Sequence, residues 1–398
     1  MATDATSQWW RAVTAARLAA ALATGLALAL ALTLMLPAPT AEAATGCSVK
    51  TKATGSTYGT LQRAVDAARP RQTLLVRGTC EGPVVIRKSL SIAGVTTRAG
   101  RPRLVDGAPM LVVQRGHTVY LRNLKFRPRG LKRDPDSLQV GGRAIFNRGT
   151  LVATDILVVG GRGIRNSGRL TLLGDSRVRY TYGGVVNVGR LVLGGTTSIR
   201  KNFYYPLSVS VRNRGTVVMS GRSNIGYNGS QPGTGSTGGG IANRGRWVMN
   251  HRSSLHGQER DSAITNHGTL VMNGRASIHD NHEGGAYLGG PGRGAGVENH
   301  GRLVMNDHSS IHSNCVYASH DLDSGQGGGV YNHGTVTMRG SSVIRDNGPC
   351  TGWYEEHADD PVQGGGLFSA KAGTVAGVRC GAGGNVNGNT PDDCYFAD

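Results

Sequence analysis

The 398-residue chain is poor in aromatic side chains, at 5%, and poor in acids, with 25 Asp and Glu against 44 Lys and Arg. So few aromatics leave little to stack on nucleobases, which argues against nucleic acid as a partner. The deficit of acids gives a formal net charge of +19, a surface suited to anionic polysaccharides, wall polymers or lipid head groups. No C-x-x-C occurs, so the six cysteines read as disulfide partners rather than metal thiolates. Beyond residue 36 no apolar run is long enough to span a bilayer. Within the repeating part no segment carries the 3.6-residue period of a helix.

What is present begins with a leader. Arg11 and Arg17 precede an uncharged Ala/Leu run from Leu18 to Leu36, and Ala41-Glu42-Ala43 supplies an A-x-A cleavage pattern. Residues 1–43 therefore read as a secretory signal peptide. The expectation is an exported chain, free of membrane spans after cleavage, that acts as a monomer outside the cell or at its surface. Residues 44–70 read as an N-terminal cap, in which Leu61, Ala64, Val65 and Ala68 have helical spacing ahead of Pro70.

From residue 71 to the end the chain repeats itself. N-x-G recurs at Asn147, Asn166, Asn187, Asn213, Asn243, Asn266, Asn299 and Asn332, at intervals of 19 to 33 residues. Aligned on the Asn, apolar residues recur two before it (Ile145 to Val330), four after it (Leu151 to Val336) and twelve after it (Val159 to Ile344). Six after it stands a methionine in five successive units, Met219, Met249, Met272, Met305 and Met338. All length variation falls after this rigid part, so each unit has one corner that tolerates insertions. Alternating apolar residues over three or four positions read as short strands that can bury their faces only by stacking. Coils about 4.8 Å apart place like residues over one another, so the asparagine amides can bond along the stack. The glycine of N-x-G reads as the residue that supplies a positive φ at the corner.

This pattern resembles the right-handed parallel β-helix proteins of the pectin-lyase-like superfamily. It is similar above all to polymorphic outer-membrane-protein repeats, with their paired GGAI and FxxN signatures. The first stands here as "GGGI" ending at Ile241, "GAGV" at Val297, "GGGV" at Val330 and "GGGL" at Leu367. The second stands with Ile for Phe: "IRKN" at Asn202, "IGYN" at Asn228, "IHDN" at Asn281, "IHSN" at Asn314 and "IRDN" at Asn347. The resemblance covers residues 72 to about 390 and implies an all-β, right-handed β-helix, here of about eleven coils behind a short capping helix. It implies no single activity, since such folds serve lyases, hydrolases, adhesins and inert stalks.

The register pairs the cysteines. Cys315 and Cys350 lie just after Asn314 and Asn347, which are equivalent positions on successive coils, so their thiols should meet. Cys47–Cys80 is expected in the N-terminal cap and Cys380–Cys394 in the C-terminal one.

Eleven of the twelve histidines fall at or after position 251, yet register disperses them. His267, His300 and His333 occupy the middle of N-x-G, where other coils carry Arg148, Arg214 and Arg244. His256, His279 and His312 stand where others carry Arg179, Arg200 and Arg345. Arginine offers no lone pair to a metal, so the exchange marks exposed basic columns rather than a metal site. Stacked imidazoles should lower one another's pKa. With Arg169, Arg190, Arg246 and Arg302 beside it, the corner column forms a stripe that could bind a repeating anion such as an acidic polysaccharide or a cell-wall polymer.

Catalysis is the competing reading. The acidic calcium cluster of pectate-lyase-like enzymes and the paired Asp of polygalacturonases have no counterpart on the rigid strands. One acidic feature remains, in the variable corner: Asp321 and Asp323, then Glu355, Glu356, Asp359 and Asp360. The proposed Cys315–Cys350 bond would hold the two segments together, where they could ligate calcium or act as an acid–base pair, with Trp353 or Tyr354 against a sugar. No other cofactor is expected. Three roles therefore stand side by side: polymer binding, polysaccharide cleavage, and a structural cell-surface stalk.

Overall fold

The computed structural model describes residues 46–128, 142–202, 209–229, 240–259, 261–283, 292–316, 325–350 and 362–397. The leader segment 1–43 lies outside them. The described chain winds as a parallel β-helix built of strands two to five residues long. One coil serves for all: Ile264–Asn266, Thr269–Met272 and Ser277–His279 run in succession, separated by tight turns. Each goes to a different sheet. The first sheet collects the strands that follow N-x-G, the second the next strands, and the third those that end on the Asn. The second and third sheets have twelve strands each, and the first has fourteen. Its two extra strands, Ser48–Thr51 and Thr57–Tyr58, run antiparallel at the N-terminal end. Twelve rungs exceed the eight marked by N-x-G because the first two carry Ile86 and Val113, and the last two Ser369 and Phe396, where the others carry Asn.

Alternation decides which residues enter the core. In Thr269–Met272, Leu270 and Met272 are buried, while Thr269 and Val271 face outward, half-covered. In register this stacks Leu270 between Trp247 and Leu303, and Met272 between Met249 and Met305. One continuous column of such residues runs from Val49 to Val386. Each fully buried Leu, Ile or Met in it contributes about 1.5–3 kcal/mol. The open N-terminal end is covered as the sequence implies. Helix Leu61–Ala67 buries Leu61, Ala64 and Val65, and its first turn is capped by the Thr60 hydroxyl, which accepts from the Arg63 N–H at 3.2 Å.

The N-x-G asparagines are fully buried and form a ladder. Asn147 Nδ2 donates to Asn166 Oδ1 at 2.7 Å, and the same bond recurs at 2.7–2.8 Å through Asn187, Asn213, Asn243, Asn266 and Asn299 to Asn332. The second amide hydrogen goes to a backbone carbonyl of the next coil, as in Asn166 to Arg190 O at 2.9 Å. A second ladder runs behind the other corner. Asn202 bonds Asn228 at 3.0 Å, and Asn281, Asn314, Asn347 and Asn389 follow one another at 2.7–2.9 Å. Asn389, in the "NTPDD" segment, closes that series on the Asp393 carboxylate.

The N-x-G glycines serve a different purpose from the one their sequence suggests. None of them has a positive φ. They are needed because the coils approach too closely for a side chain. A Cβ on Gly168, Gly189, Gly215, Gly245, Gly268, Gly301 or Gly334 would lie 2.0–2.2 Å from the carbonyl oxygen of the glycine one coil before. One series of left-handed residues stands just before the second asparagine column, at Tyr180, Lys201, Tyr227, Gly257, Asp280, Ser313, Asp346 and Gly388, and another in the turn after the first sheet, at Gly174, Gly195, Gly221, His251, Gly274, Asp307 and Gly340.

All three expected disulfides form: Cys47–Cys80, Cys315–Cys350 and Cys380–Cys394, with Cα separations of 4.5, 4.8 and 5.9 Å. The middle one joins adjacent strands at coil spacing, which is within the reach of a disulfide.

Asn243→Ala leaves a donor and an acceptor stranded in the interior on adjacent coils, and should cost roughly 2–4 kcal/mol in chemical denaturation. Gly245→Ala should be strongly destabilising, whereas Gly59→Ala, where an added Cβ meets nothing within 4 Å, should shift the transition little.

Candidate functional site

The corner after the third sheet brings the basic stripe together. Arg148, Arg214, Arg244, His267, His300 and His333 stand one residue past a buried ladder asparagine, so the turn points them outward, and all six are exposed. Arg169, Arg190, Arg246 and Arg302 begin first-sheet strands on the same register line, and all are exposed as well. Neutralising partners are few. Among the described residues only His300 of these ten has an acidic partner, Glu298, at 3.0 Å. Arg148 lies over the Phe146 ring, 4.4 Å from its centroid. Sequence alignment on the asparagine passed over two more members, Arg165 and Arg212, because they precede the Asn on the outer face of the third sheet. Both are exposed. Arg143 sits in the same field, its pKa lowered by burial and then by Arg165 and Arg162.

The histidines behave in two ways. In the corner column His267 stacks on His300 with centroids 4.8 Å apart, and the His267 pKa is lowered by partial burial and then by His300. The other column is not the exposed ladder that its exchange with arginine suggests. His256, His279 and His312 are half-buried and stack nearly parallel, at 5.3 and 5.1 Å. Burial is the largest cause of the lowered pKa of His256 and His312, and the charge of His279 adds to it. Imidazole lies flatter on a sheet than a long guanidinium stem, so the column packs on itself.

The six carboxylates expected to form an acidic corner, Asp321, Asp323, Glu355, Glu356, Asp359 and Asp360, lie outside the described residues, as do Trp353 and Tyr354. Among the described residues no group of His, Cys, Asp or Glu is arranged to hold a metal ion. A different carboxyl emerges instead. Glu283 pairs in register with Val316, which is fully buried in a small satellite cluster with Ala295 and Val362. Its carboxyl is held well above the usual range, first by burial and then by Asp261 and Glu298, with Arg293 opposing. Its Oε2 is enclosed and meets no donor. Sequence alone could have flagged it as the charged member of an otherwise apolar position, occupied by Val316 and Pro349 in the next two coils.

A small void near the N-terminal cap is lined by Leu61, Val76, Ile92 and Phe126, with Arg103 at its edge. No protein-family model, curated protein or solved structure matches the chain.

Two opposite pH dependences follow. His256 and His312 hold protons less tightly folded than unfolded, so stability is full above pH 6.5 and is lost as the pH falls below it. The His256→Gln/His312→Gln double variant should lose part of that acid-side fall in Tm. Glu283 holds its proton more tightly when folded, so its stabilising contribution is present below pH 4.5 and fades as the pH rises. Glu283→Gln should thus raise Tm at neutral pH and match the parent near pH 4.

Proposed function

We propose that this protein is a non-catalytic binder of anionic polymers that acts outside the cell, taking acidic polysaccharide or cell-wall polymer along the corner stripe. The observation that carries the reading is a ten-residue basic line, exposed throughout, of which only His300 has an acidic partner among the described residues. From Arg148 to Arg246 the stripe puts at least one arginine on each successive coil, about 4.8 Å apart, which suits a ligand whose charges also repeat, because each bound unit adds another contact. Three disulfides fit an oxidising compartment. Among the described residues no helix is long and apolar enough to cross a membrane.

Polysaccharide cleavage has one observation in its favour, the Glu283 carboxyl, whose pKa is raised by burial and then by Asp261 and Glu298, the direction a general acid needs. It predicts new reducing ends or unsaturated products from acidic polysaccharides, which the binding reading does not.

Retention on immobilised polygalacturonate should fall steeply with salt, as for any contact between exposed charges. Arg214→Gln/Arg244→Gln/Arg246→Gln should weaken it roughly tenfold or more, at about 0.5–1 kcal/mol per exposed charge contact. Retention that ignores both salt and this variant would refute the reading.

A further inference from the structure

A second basic surface lies on the outer face of the second sheet, around a different side of the coil from the stripe. Lys125 pairs in register with Arg103 on the preceding rung. Two residues along, a second column passes through Arg127 and Val159 and continues through Arg179 and Arg200 on adjacent rungs. The span from Arg103 to Arg200 is four coil steps, about 19 Å. Between its cationic rungs, half-buried Leu157 and Val159 form an apolar floor.

Three observations set this face apart from an ordinary charged surface. The cations are crowded: the ammonium of Lys125 is disfavoured by burial and then by Arg103, Arg127, Arg179 and Arg101. The two guanidiniums at its centre are half-buried, yet Arg179 Nε and Arg200 Nε are enclosed without an acceptor on the protein. Of the acids in the adjoining turn, Asp155 accepts the Asp175 N–H at 2.9 Å, and Asp175 pairs at 2.7 Å with Arg177, which continues the Lys125 line on this face, leaving Arg179 and Arg200 as its centre. Glu81 heads the Arg127 column two rungs away. An exposed tyrosine, Tyr180, flanks the centre with the Arg179 guanidinium 5.6 Å from its ring centroid.

The charge is also local. Further along the same face the equivalent positions are Gly226, His256, His279 and His312, with burial lowering the pKa of His256 and His312, before Arg345 on the next rung. The run of arginines is therefore broken for four rungs after Arg200 and does not continue unbroken along the molecule.

We propose that this face is a binding site for a phosphate or sulfate group carried on a larger molecule, centred on Arg179 and Arg200 and separate from the corner stripe. A carboxylate offers two oxygens and is satisfied by one guanidinium fork. A phosphate or sulfate offers three or more acceptors and can take donors from adjacent rungs at once. The apolar floor and Tyr180 suit the carbon skeleton that bears the anion, such as a sugar ring. The site stands whether or not the stripe binds a polymer.

The test uses the full chain with three fluorescent probes of equal length: a phosphorylated, a sulfated and a carboxylate-only oligosaccharide. Anisotropy at moderate salt should show the phosphorylated or the sulfated probe bound at least tenfold more tightly than the carboxylate one, and which of the two is tighter identifies the group. Arg179→Gln/Arg200→Gln should lose at least tenfold for that probe while keeping retention on polygalacturonate and an unchanged Tm. Lys125→Gln, two rungs before Arg179, should lose severalfold and serves if the double variant folds poorly. The Arg244→Gln/Arg246→Gln variant of the stripe should bind the probe as the parent does. Equal affinity for all three probes, parental affinity in both face variants, or a loss confined to the stripe variant would each overturn the proposal.

Discussion

The buried side-chain amide is the interaction on which the rest of this molecule depends. A primary amide has two donors and an acceptor with two lone pairs, and a single buried asparagine would strand most of them. Stacked at coil spacing, each satisfies the next, and the remaining hydrogen fastens it to the backbone of the neighbouring coil. The arrangement tolerates no slip of register, since a shifted coil would break bonds above and below together. It also draws the corners so close that only glycine fits two residues later. The hydrophobic column supplies the greater part of the stability, and the amides determine which stacking is allowed.

With both ladders and the apolar column pointing inward, every cation of the repeat has to face out. This is how a chain of net charge +19 concentrates basic residues on particular faces. The stripe and the second-sheet face differ in character for a local reason. At the corner the side chains leave a convex turn and spread into solvent. On the sheet they lie side by side at rung spacing, so their stems cover one another and their charges crowd.

Most of the fold was legible because a parallel stack turns sequence periodicity directly into spatial adjacency. The in-register asparagines, the methionine column and the Cys315–Cys350 bond all follow from counting residues after Asn. The glycines show where counting stops. Composition at a corner suggests a left-handed residue, but whether glycine is required for its φ or for its lack of a side chain depends on the distance to the next coil. The half-buried histidines show the same limit: exchange with arginine establishes that a position faces outward, not how much of it is covered. Arg179 and Arg200 were read as part of a basic column, but Arg103, Lys125 and Arg127, which complete the face, lie on rungs before the N-x-G series that lack the asparagine anchoring the alignment. Glu283 was overlooked because it lies in the variable corner, where alignment fails.

The ladders also have a direction. Every amide donates toward the next coil, so each coil offers the same acceptor on one side and the same donor on the other. The first in the series, Asn147, has a buried Oδ1 with no donor because the coil before it carries Val113. Between those ends the boundaries are interchangeable. Asn266, Asn299 and Asn332 are separated by equal steps of 33 residues, and each begins the same N-H-G. A duplication or deletion of one such step would join like to like, at the level of both the gene and the hydrogen bonds. The length of this molecule is therefore a quantity that recombination can change in whole coils, lengthening or shortening the charged line without redesigning any part of it.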